Sequence, residues 1–232
     1  GRKAMRRGVA ISYDTRNNSH KFALAAAGVL VKEGINVFMY SEPRPVPMLS
    51  YAVRKYKTAA GIMITASHNP KEYNGYKIYG EDGAQMSPEA TAVIVENIHK
   101  VSDYFTVKSA DENALEHSRN LSYIPASFER GYYKTVIKLG LSKKAVKEEG
   151  KKIKIVYTPI NGSGYVPVTK VLGKMGIDVT VVEEQTAYDG NFPTVEVPNP
   201  ENNAALKRAI DRAEKIGADV VFGTDPDCDR LG

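Results

Sequence analysis

Residues 60–70 read Ala60-Gly-Ile-Met-Ile-Thr-Ala-Ser-His-Asn-Pro70, an apolar run of strand length that ends in a polar turn. A short run without charge that contains two isoleucines favours a β-strand buried on both faces. The Asn-Pro pair that closes the stretch is a turn signal. The sequence therefore predicts a buried strand that delivers Ser67 and His68 to one edge of a sheet.

Strand and helix signals alternate on both sides of this strand. The first half predicts strands at 8–13, 35–40, 60–65 and 76–79 and helices at 20–33, 48–56 and 87–101. The second half predicts strands at 153–157, 177–182 and 218–222 and helices at 128–139, 165–175 and 201–216. Residues 102–125 are polar and mixed, which predicts a connector with a weak helix. The charge-rich residues 143–154 indicate a solvated helix end and linker.

This alternation favours sheets that are mostly parallel and covered by helices. The sequence predicts an α/β protein with two consecutive α/β/α three-layer domains and mixed, mostly parallel sheets. In such sheets ligands bind at the carboxyl ends of the strands. Both halves carry polar residues after their third strand, so the two edges could face each other across a cleft.

The composition narrows the class of protein. The chain has 232 residues, 42% of them hydrophobic and 25% charged, which excludes a disordered, collagen-like or coiled-coil protein. It contains no apolar window of about 20 residues, so no membrane partner is expected. The single cysteine, Cys228, excludes an internal disulfide and suits a reducing compartment, which predicts a cytoplasmic protein. The net charge of +5 fits an anionic ligand or an ordinary solvated surface, and no nucleic-acid partner is expected.

Three aspartates alternate in the loop that follows the last predicted strand. Asp225, Asp227 and Asp229 are each two residues apart, so an extended loop turns them to one side. Their like charges repel, and carboxylate oxygens suit a hard cation, with Mg²⁺ first. The alternative is a solvated acidic turn. An EF-hand is excluded because the loop lacks the required Gly and Glu.

The turn after the strand at 60–65 offers a second candidate site. A serine hydroxyl such as that of Ser67 is a weak nucleophile that needs a base, a metal or a cation. Capping of the turn is the alternative role. Lys77 lies on the predicted hairpin and could neutralise a phosphate or carry a proton. Arg16 follows the first strand, where its guanidinium could bind a phosphate or lie in a surface turn. Residues 161–164, Asn-Gly-Ser-Gly, precede a helix and fit the start of that helix better than a phosphate cradle.

Four short sequence motifs occur together in this chain, and their combination and order are specific enough to indicate a family. Thr65–Pro70, Asn74–Lys77 and Asp225–Arg230, together with Tyr13–Arg16, resemble the α-D-phosphohexomutase superfamily, and most closely its bacterial phosphoglucomutase/phosphomannomutase proteins. The resemblance implies that the chain is a fragment of a four-domain protein. Residues 1–122 would form domain I with the phosphoserine loop, and residues 123–232 a C-terminally truncated domain II with the metal-binding loop.

The resemblance also implies roles for the site residues. Ser67 would exchange a phosphoryl group with a sugar phosphate, through a bisphosphorylated sugar such as glucose 1,6-bisphosphate that also acts as activator. Mg²⁺ would be bound by the three aspartates and by an oxygen on Ser67. The remaining residues would line the site: Arg16, His68 and Lys77 in catalysis, with Lys77 a candidate acid/base, and Asn69, Asp229 and Arg230 in substrate binding.

Several readings of function stay open. The sugar could be glucose, which is favoured, or mannose, glucosamine or a pentose. A metal- or sugar-phosphate-binding module without turnover is an alternative, because the family's loops that grip the sugar and the second phosphate belong to third and fourth domains. A metal-dependent phosphatase with Asp225 as nucleophile is a third reading. The oligomeric state is not predicted.

Overall fold

Two separate β-sheets organise the chain. The computed structural model describes all residues from 1 to 232. The first sheet contains β1 (Val9–Tyr13), β2 (Val37–Met39), β3 (Ala60–Ile64), β4 (Tyr76–Tyr79) and β5 (Leu121–Tyr123), and the second contains β6 (Ile155–Thr158), β7 (Val179–Val181) and β8 (Val220–Gly223). The helices are α1 (Arg2–Arg7), α2 (Ser19–Lys32), α3 (Val46–Tyr56), α4 (Pro88–His99), α5 (Glu112–Glu116), α6 (Ala126–Lys138), α7 (Lys143–Glu149), α8 (Tyr165–Met175) and α9 (Asn203–Ile216).

The first sheet has the order β4-β3-β1-β2-β5. All its neighbouring strands are parallel except β3 and β4, which form an antiparallel pair. Every residue of β1 is buried, as expected for a central strand covered on both faces. The carboxyl ends of β1 and β3 therefore lie side by side at one edge of this sheet.

Helices cover both faces of the first sheet. On one face α2 packs through the small residues Ala23 and Ala27 against β1, in a core that also contains Ile11 and Ile62. On the other face α3 packs through apolar residues that include Leu49. Pro47 lies in the first turn of α3, where its lack of an N–H costs no hydrogen bond.

The second sheet is smaller and fully parallel, in the order β7-β6-β8. Helix α9 covers it through Ala205, Ala209 and Ala213, which recur every four residues and so lie on one face of the helix. Gly217 ends α9 in the left-handed conformation, with φ 60°. This turn directs the chain into β8 and thus towards the acidic loop.

Helix α6 joins the two α/β units. It contacts α3 of the first unit and α8 of the second. Its Phe128 stacks on Tyr56 with ring centroids 4.6 Å apart, and Tyr133 is buried in the core beneath α3. The two units therefore share an aromatic junction on the side of the first sheet that α3 covers.

The structure confirms the predicted α/β class with two α/β/α units and mixed, mostly parallel sheets. Residues 102–125 contain more than the weak helix that the sequence predicts, because they also form β5, which pairs with β2 and is an edge strand of the first sheet. Since β5 spans residues 121–123, the first sheet extends across position 122, and the domain boundary there stays a prediction. None of the helices combines the length and the apolar character needed to cross a membrane.

Candidate active site

The loops after β3 and β8 meet in the cleft between the two units. The hydroxyl of Ser67 donates a hydrogen bond to Oδ2 of Asp225 over 3.0 Å, although the two residues are 158 positions apart. The carboxyl edges of two different sheets thus face each other, as parallel α/β topology allows. The structure brings together the two candidate sites that the sequence singles out.

The turn that carries Ser67 is held in an unusual backbone conformation. Ser67 has φ 54°, in the left-handed region that side chains seldom adopt. Its N–H donates to Oγ1 of Thr65 over 2.8 Å, and Thr65 in turn donates to Asp14. Nδ1 of His68 lies 3.3 Å from the Ser67 hydroxyl. The turn therefore presents the hydroxyl to the cleft with an imidazole beside it.

Arg16 lies behind this loop, away from the open cleft. Its side chain is fully buried. The guanidinium donates to the carbonyl oxygens of Ser67, Asn69, Pro70 and Tyr73. These bonds occupy both terminal nitrogens of the guanidinium. The structure therefore supports a role for Arg16 in holding the serine loop and does not support a direct contact with phosphate.

Asp14 supports Arg16 from the end of β1. Its Oδ2 lies 3.2 Å from Nε of Arg16, and it accepts hydrogen bonds from the side chains of Ser19 and Thr65. Burial raises the pKa of Asp14 to about 6, although these hydrogen bonds and Arg16 act to lower it. Sequence reasoning gave Asp14 no role, although it lies in the Tyr13–Arg16 stretch directly after the first strand.

The three aspartates form a compact group of oxygen ligands. One carboxylate oxygen from each lies within 4.8 Å of the others, with Asp225 and Asp227 buried and Asp229 exposed. Oδ1 of Asp225 accepts the backbone N–H groups of Asp229 and Arg230, which fixes the curvature of the loop. Cys228 supplies the left-handed residue of the loop, with φ 53°.

The electrostatics of this group favour a bound cation. Burial raises the pKa of Asp225, and the neighbouring charge of Asp227 raises it further. Oδ1 of Asp227 is buried and has no hydrogen-bond partner. An orphaned buried carboxylate oxygen is costly unless it has a ligand. The donor set is all oxygen, so these residues fit a hard divalent cation such as Mg²⁺.

Lys77 reaches the acidic loop from β4. Its Nζ donates to Oδ2 of Asp227 over 3.0 Å and lies 4.0 Å from Oδ2 of Asp229. Its side chain is 21% exposed, so the ammonium group lies at the wall of the cleft and remains accessible from it. The antiparallel pairing of β4 with β3 thus places one cation beside the aspartates.

The remaining predicted site residues lie further out. The side chain of Arg230 is paired with Glu201 over 2.9 Å at the surface, while its backbone N–H supports Asp225. Asn69 is exposed at the tip of the serine loop. The side chains of both residues are therefore accessible to solvent.

Residues 161–164 brace the acidic loop. The N–H and the hydroxyl of Ser163 both donate to the carbonyl oxygen of Pro226. The N–H groups of Asn161 and Gly162 also have backbone partners. A phosphate would find none of these three amides free, so the structure supports the reading of this segment as the start of α8.

A loop of the second unit closes over Arg16. The ring centroid of Phe192 lies 5.3 Å from the guanidinium carbon of Arg16, and Asn191 accepts a hydrogen bond from Asn17 over 2.9 Å. Sequence reasoning missed this contact, because the pattern of residues 186–192 does not indicate that this segment packs against the loop after β1.

The comparisons with known proteins agree with this geometry. The family model for phosphoglucomutase/phosphomannomutase, α/β/α domain I, matches residues 2–105. The model for domain II of the same family matches residues 130–232. Phosphoglucomutases of Staphylococcus saprophyticus and of Staphylococcus aureus strain bovine RF122 are each 38% identical to the chain. Each alignment covers 97% of this chain and 40% of the relative, so the chain spans about two fifths of their length.

Two solved structures share the fold. A provisionally named phosphomannomutase from Thermus thermophilus is 27% identical, with a TM-score of 0.77 over 97% of this chain and 47% of that one. A phosphoglucomutase/phosphomannomutase family protein from Burkholderia thailandensis has a TM-score of 0.73 at 22% identity, over 97% of this chain and 45% of that one. The second likeness concerns the fold alone. The two family models together match most residues of the chain. The chain therefore belongs to the phosphoglucomutase/phosphomannomutase family of the α-D-phosphohexomutase superfamily and contains the family's α/β/α domains I and II.

Proposed function

We propose that the chain carries the phosphoryl-transfer centre of a sugar phosphate mutase, which interconverts hexose 1-phosphate and hexose 6-phosphate. The observation that carries this proposal is the 3.0 Å contact between the Ser67 hydroxyl and the carboxylate of Asp225, within the group of three aspartates. A nucleophile next to a divalent-cation site is the arrangement that phosphoryl transfer needs. Glucose is the favoured sugar because the relatives at 38% identity are named phosphoglucomutases.

Ser67 is the proposed carrier of the phosphoryl group. In the forward half-reaction the bond between phosphorus and the serine oxygen breaks, and a bond forms between phosphorus and a sugar hydroxyl. The product is a bisphosphorylated hexose, which returns its other phosphoryl group to Ser67 in the second half-reaction. Glucose 1,6-bisphosphate is therefore the expected intermediate, and it can also charge Ser67 as an activator.

Asp225, Asp227 and Asp229 would hold Mg²⁺ together with an oxygen on Ser67. When bound, the cation supplies positive charge that stabilises the negative charge on the transferring group. Asp225 lies within reach of the Ser67 hydroxyl, and the free oxygen of Asp227 is the position that most needs a positive partner. Arg16 holds the carbonyl oxygens of the serine loop, so that the hydroxyl stays directed into the cleft.

Two groups can move the proton of the attacking hydroxyl. Lys77 lies in the wall of the cleft beside Asp227, and His68 lies 3.3 Å from the Ser67 hydroxyl. We assign Lys77 the role of acid and base towards the sugar, and His68 that of a neighbour that orients the serine. Asn69, Asp229 and Arg230 have accessible side chains, and we assign them to contacts with the sugar phosphate.

The phosphatase reading, with Asp225 as nucleophile, is disfavoured by hydrogen bonding. Both carboxylate oxygens of Asp225 already accept hydrogen bonds, Oδ1 from two backbone N–H groups and Oδ2 from Ser67. Each such bond lowers the electron density available for attack on phosphorus.

A binding module without turnover remains a second proposal for this chain, because the chain spans about two fifths of the relatives' length. The one free cysteine supports a cytoplasmic location.

A single half-reaction tests the proposal. The chain is incubated with Mg²⁺ and glucose 1,6-bisphosphate, and release of a glucose monophosphate is followed. The wild-type chain is expected to release one equivalent, while Ser67→Ala releases none. Ser87→Ala, which changes the exposed N-cap of α4 and none of the proposed site residues, is the matched control. Equal release by Ser67→Ala would contradict the assignment of the nucleophile, and no release by any variant would favour the binding module.

A further inference from the structure

Residues 41–46, which comprise the loop before α3 and the first residue of that helix and are called the 41–46 loop, touch both units of the chain. The N–H of Val46 donates to the carbonyl oxygen of Asp227 over 2.9 Å, so the loop is bonded directly to the acidic loop. At its other side the N–H of Arg44 donates to Tyr13, and the hydroxyl of Ser12 donates to the carbonyl oxygen of Arg44. The 41–46 loop is therefore a backbone bridge from the end of β1 to the acidic loop.

A buried ion pair ties this loop to α6. Nε of Arg44 donates to Oε1 of Glu129 over 2.7 Å, and each side chain is only 10% exposed. A second guanidinium nitrogen lies 3.5 Å from Oε2, and the hydroxyl of Tyr133 also donates to that oxygen. Burying such a pair requires the removal of two charges from water, so net stability is a weak reason for its presence.

The position of Glu129 suggests a more specific reason. Glu129 lies in the first turn of α6, the helix that contacts α3 in one unit and α8 in the other. The pair thus fixes α6 relative to the 41–46 loop, and that loop fixes the backbone of Asp227. Neither Arg44 nor Glu129 is hydrogen-bonded to Ser67 or to any of the three aspartates.

We propose that Arg44 and Glu129 are positioning residues for the acidic loop, which set the placement of Asp227 and hence the affinity of the site for a divalent cation. This inference rests on the proposed function, because it takes the three aspartates as the metal ligands. Outer partners that orient metal ligands commonly change metal affinity when they are removed. Here the orienting contact passes through the backbone of Val46 and acts at the junction of the two units.

The test separates positioning from general stability. Removing one member of the pair leaves a buried charge, so the main variant replaces the whole polar triad by apolar groups: Arg44→Met, Glu129→Leu and Tyr133→Phe together. Such replacements of buried ion pairs often preserve or raise stability. Glu129→Gln is the second variant, measured well below its unfolding midpoint. Val53→Ala is the control, since Val53 is buried in the same core cluster.

Two quantities are measured on each folded variant. The first is the dissociation constant for Mn²⁺, used as the probe cation and followed by electron paramagnetic resonance. The second is hydrogen exchange of the Asp229 and Arg230 amides, which donate to Asp225. We expect about 10-fold weaker Mn²⁺ binding in the triad variant, with faster exchange of both amides. Glu129→Gln is expected to shift both quantities in the same direction by a smaller factor.

The outcomes are distinct. Val53→Ala is expected to lower the unfolding midpoint without changing the Mn²⁺ dissociation constant. Wild-type affinity and exchange in the folded triad variant would overturn the positioning role, and if that variant does not fold, the same result in Glu129→Gln would do so. Failure of the wild-type chain to bind Mn²⁺ would instead overturn the proposed metal site, and the exchange of the two amides would still decide whether the pair positions the loop.

Discussion

Nζ of Lys77 lies 3.0 Å from Oδ2 of Asp227, and this ion pair joins the edge strand of the first sheet to the acidic loop of the second. The lysine reduces the repulsion among the three aspartates, yet it leaves the other oxygen of Asp227 without a partner. The same ammonium group is close enough to the cleft to carry a proton. Charge balance and proton transfer are therefore separable roles of one residue.

Replacing Lys77 by Met separates these two roles. We expect phosphoryl transfer to slow by about 100-fold, because general acid–base groups contribute at least that factor. Binding of Mn²⁺ should stay equal or become tighter, since a neighbouring positive charge is removed. Stopped-flow transfer rates and Mn²⁺ titration measure the two effects, with the exposed Lys71→Met as control. Weaker metal binding with unchanged transfer would contradict the assignment.

Replacing Asp227 by Asn tests the oxygen that lacks a partner. The variant keeps the size of the side chain but loses its charge, so we expect Mg²⁺ affinity to fall by at least about 10-fold. Isothermal titration calorimetry gives the dissociation constant directly. The exposed Asp178→Asn is the matched control. If Asp227→Asn bound Mg²⁺ as tightly as the wild-type chain, the acidic loop would not be the cation site.

Replacing Arg16 by Lys tests whether this residue holds the serine loop. A lysine cannot supply the planar fork that reaches four carbonyl oxygens. Because the change leaves buried polar groups unpaired beside Asp14, we expect the free energy of unfolding to fall by about 3 kcal/mol. Urea denaturation measures this loss, with the exposed Arg119→Lys as control. A loss of transfer with full stability would indicate that Arg16 contacts phosphate directly.

Asp14 predicts a pH dependence of stability. Its pKa is raised from 3.8 to about 6 by burial, so the folded chain binds this proton more tightly than the unfolded chain. The stability that Asp14 contributes is therefore complete below pH 4 and is lost as the pH rises through 6, by about 3 kcal/mol in total.

The comparison with Asp14→Asn isolates this effect. The free energy of unfolding of the wild-type chain, relative to that of Asp14→Asn, should fall between pH 4 and pH 7. Urea denaturation at several pH values gives the difference. A relative stability that rises with pH would show that Arg16 and the hydrogen-bond donors lower the pKa of Asp14 below its ordinary value.

Part of this site could be predicted from the sequence. Ser67 and Asp225 both follow buried strands, so the topology of parallel sheets places each at a carboxyl edge. The alternation of three aspartates likewise predicts a common direction for their side chains. The shared architecture of the two halves suggests only that the two edges could face each other. The expectation that Ser67 and the three aspartates act together came from the resemblance of the whole pattern to a family.

Other features depend on the path of the loops, which periodicity does not encode. The role of Arg16 changes from phosphate contact to loop support, because the chain from Ser67 to Tyr73 turns its carbonyl oxygens towards the guanidinium. Strand β5 is only three residues long and contains one apolar aliphatic residue, so its pattern is too short to indicate a strand. The pair of Arg44 and Glu129 is 85 positions apart and has no local signal.

The most direct test of the central claim is the position of the phosphoryl group on the chain. The protein is incubated with Mg²⁺ and glucose 1,6-bisphosphate, quenched, and analysed by intact mass and peptide mapping beside Ser67→Ala. The account predicts one phosphoryl increment on the peptide that contains Ser67 and none in the variant. An increment on Asp225, or an equal increment in Ser67→Ala, would contradict it.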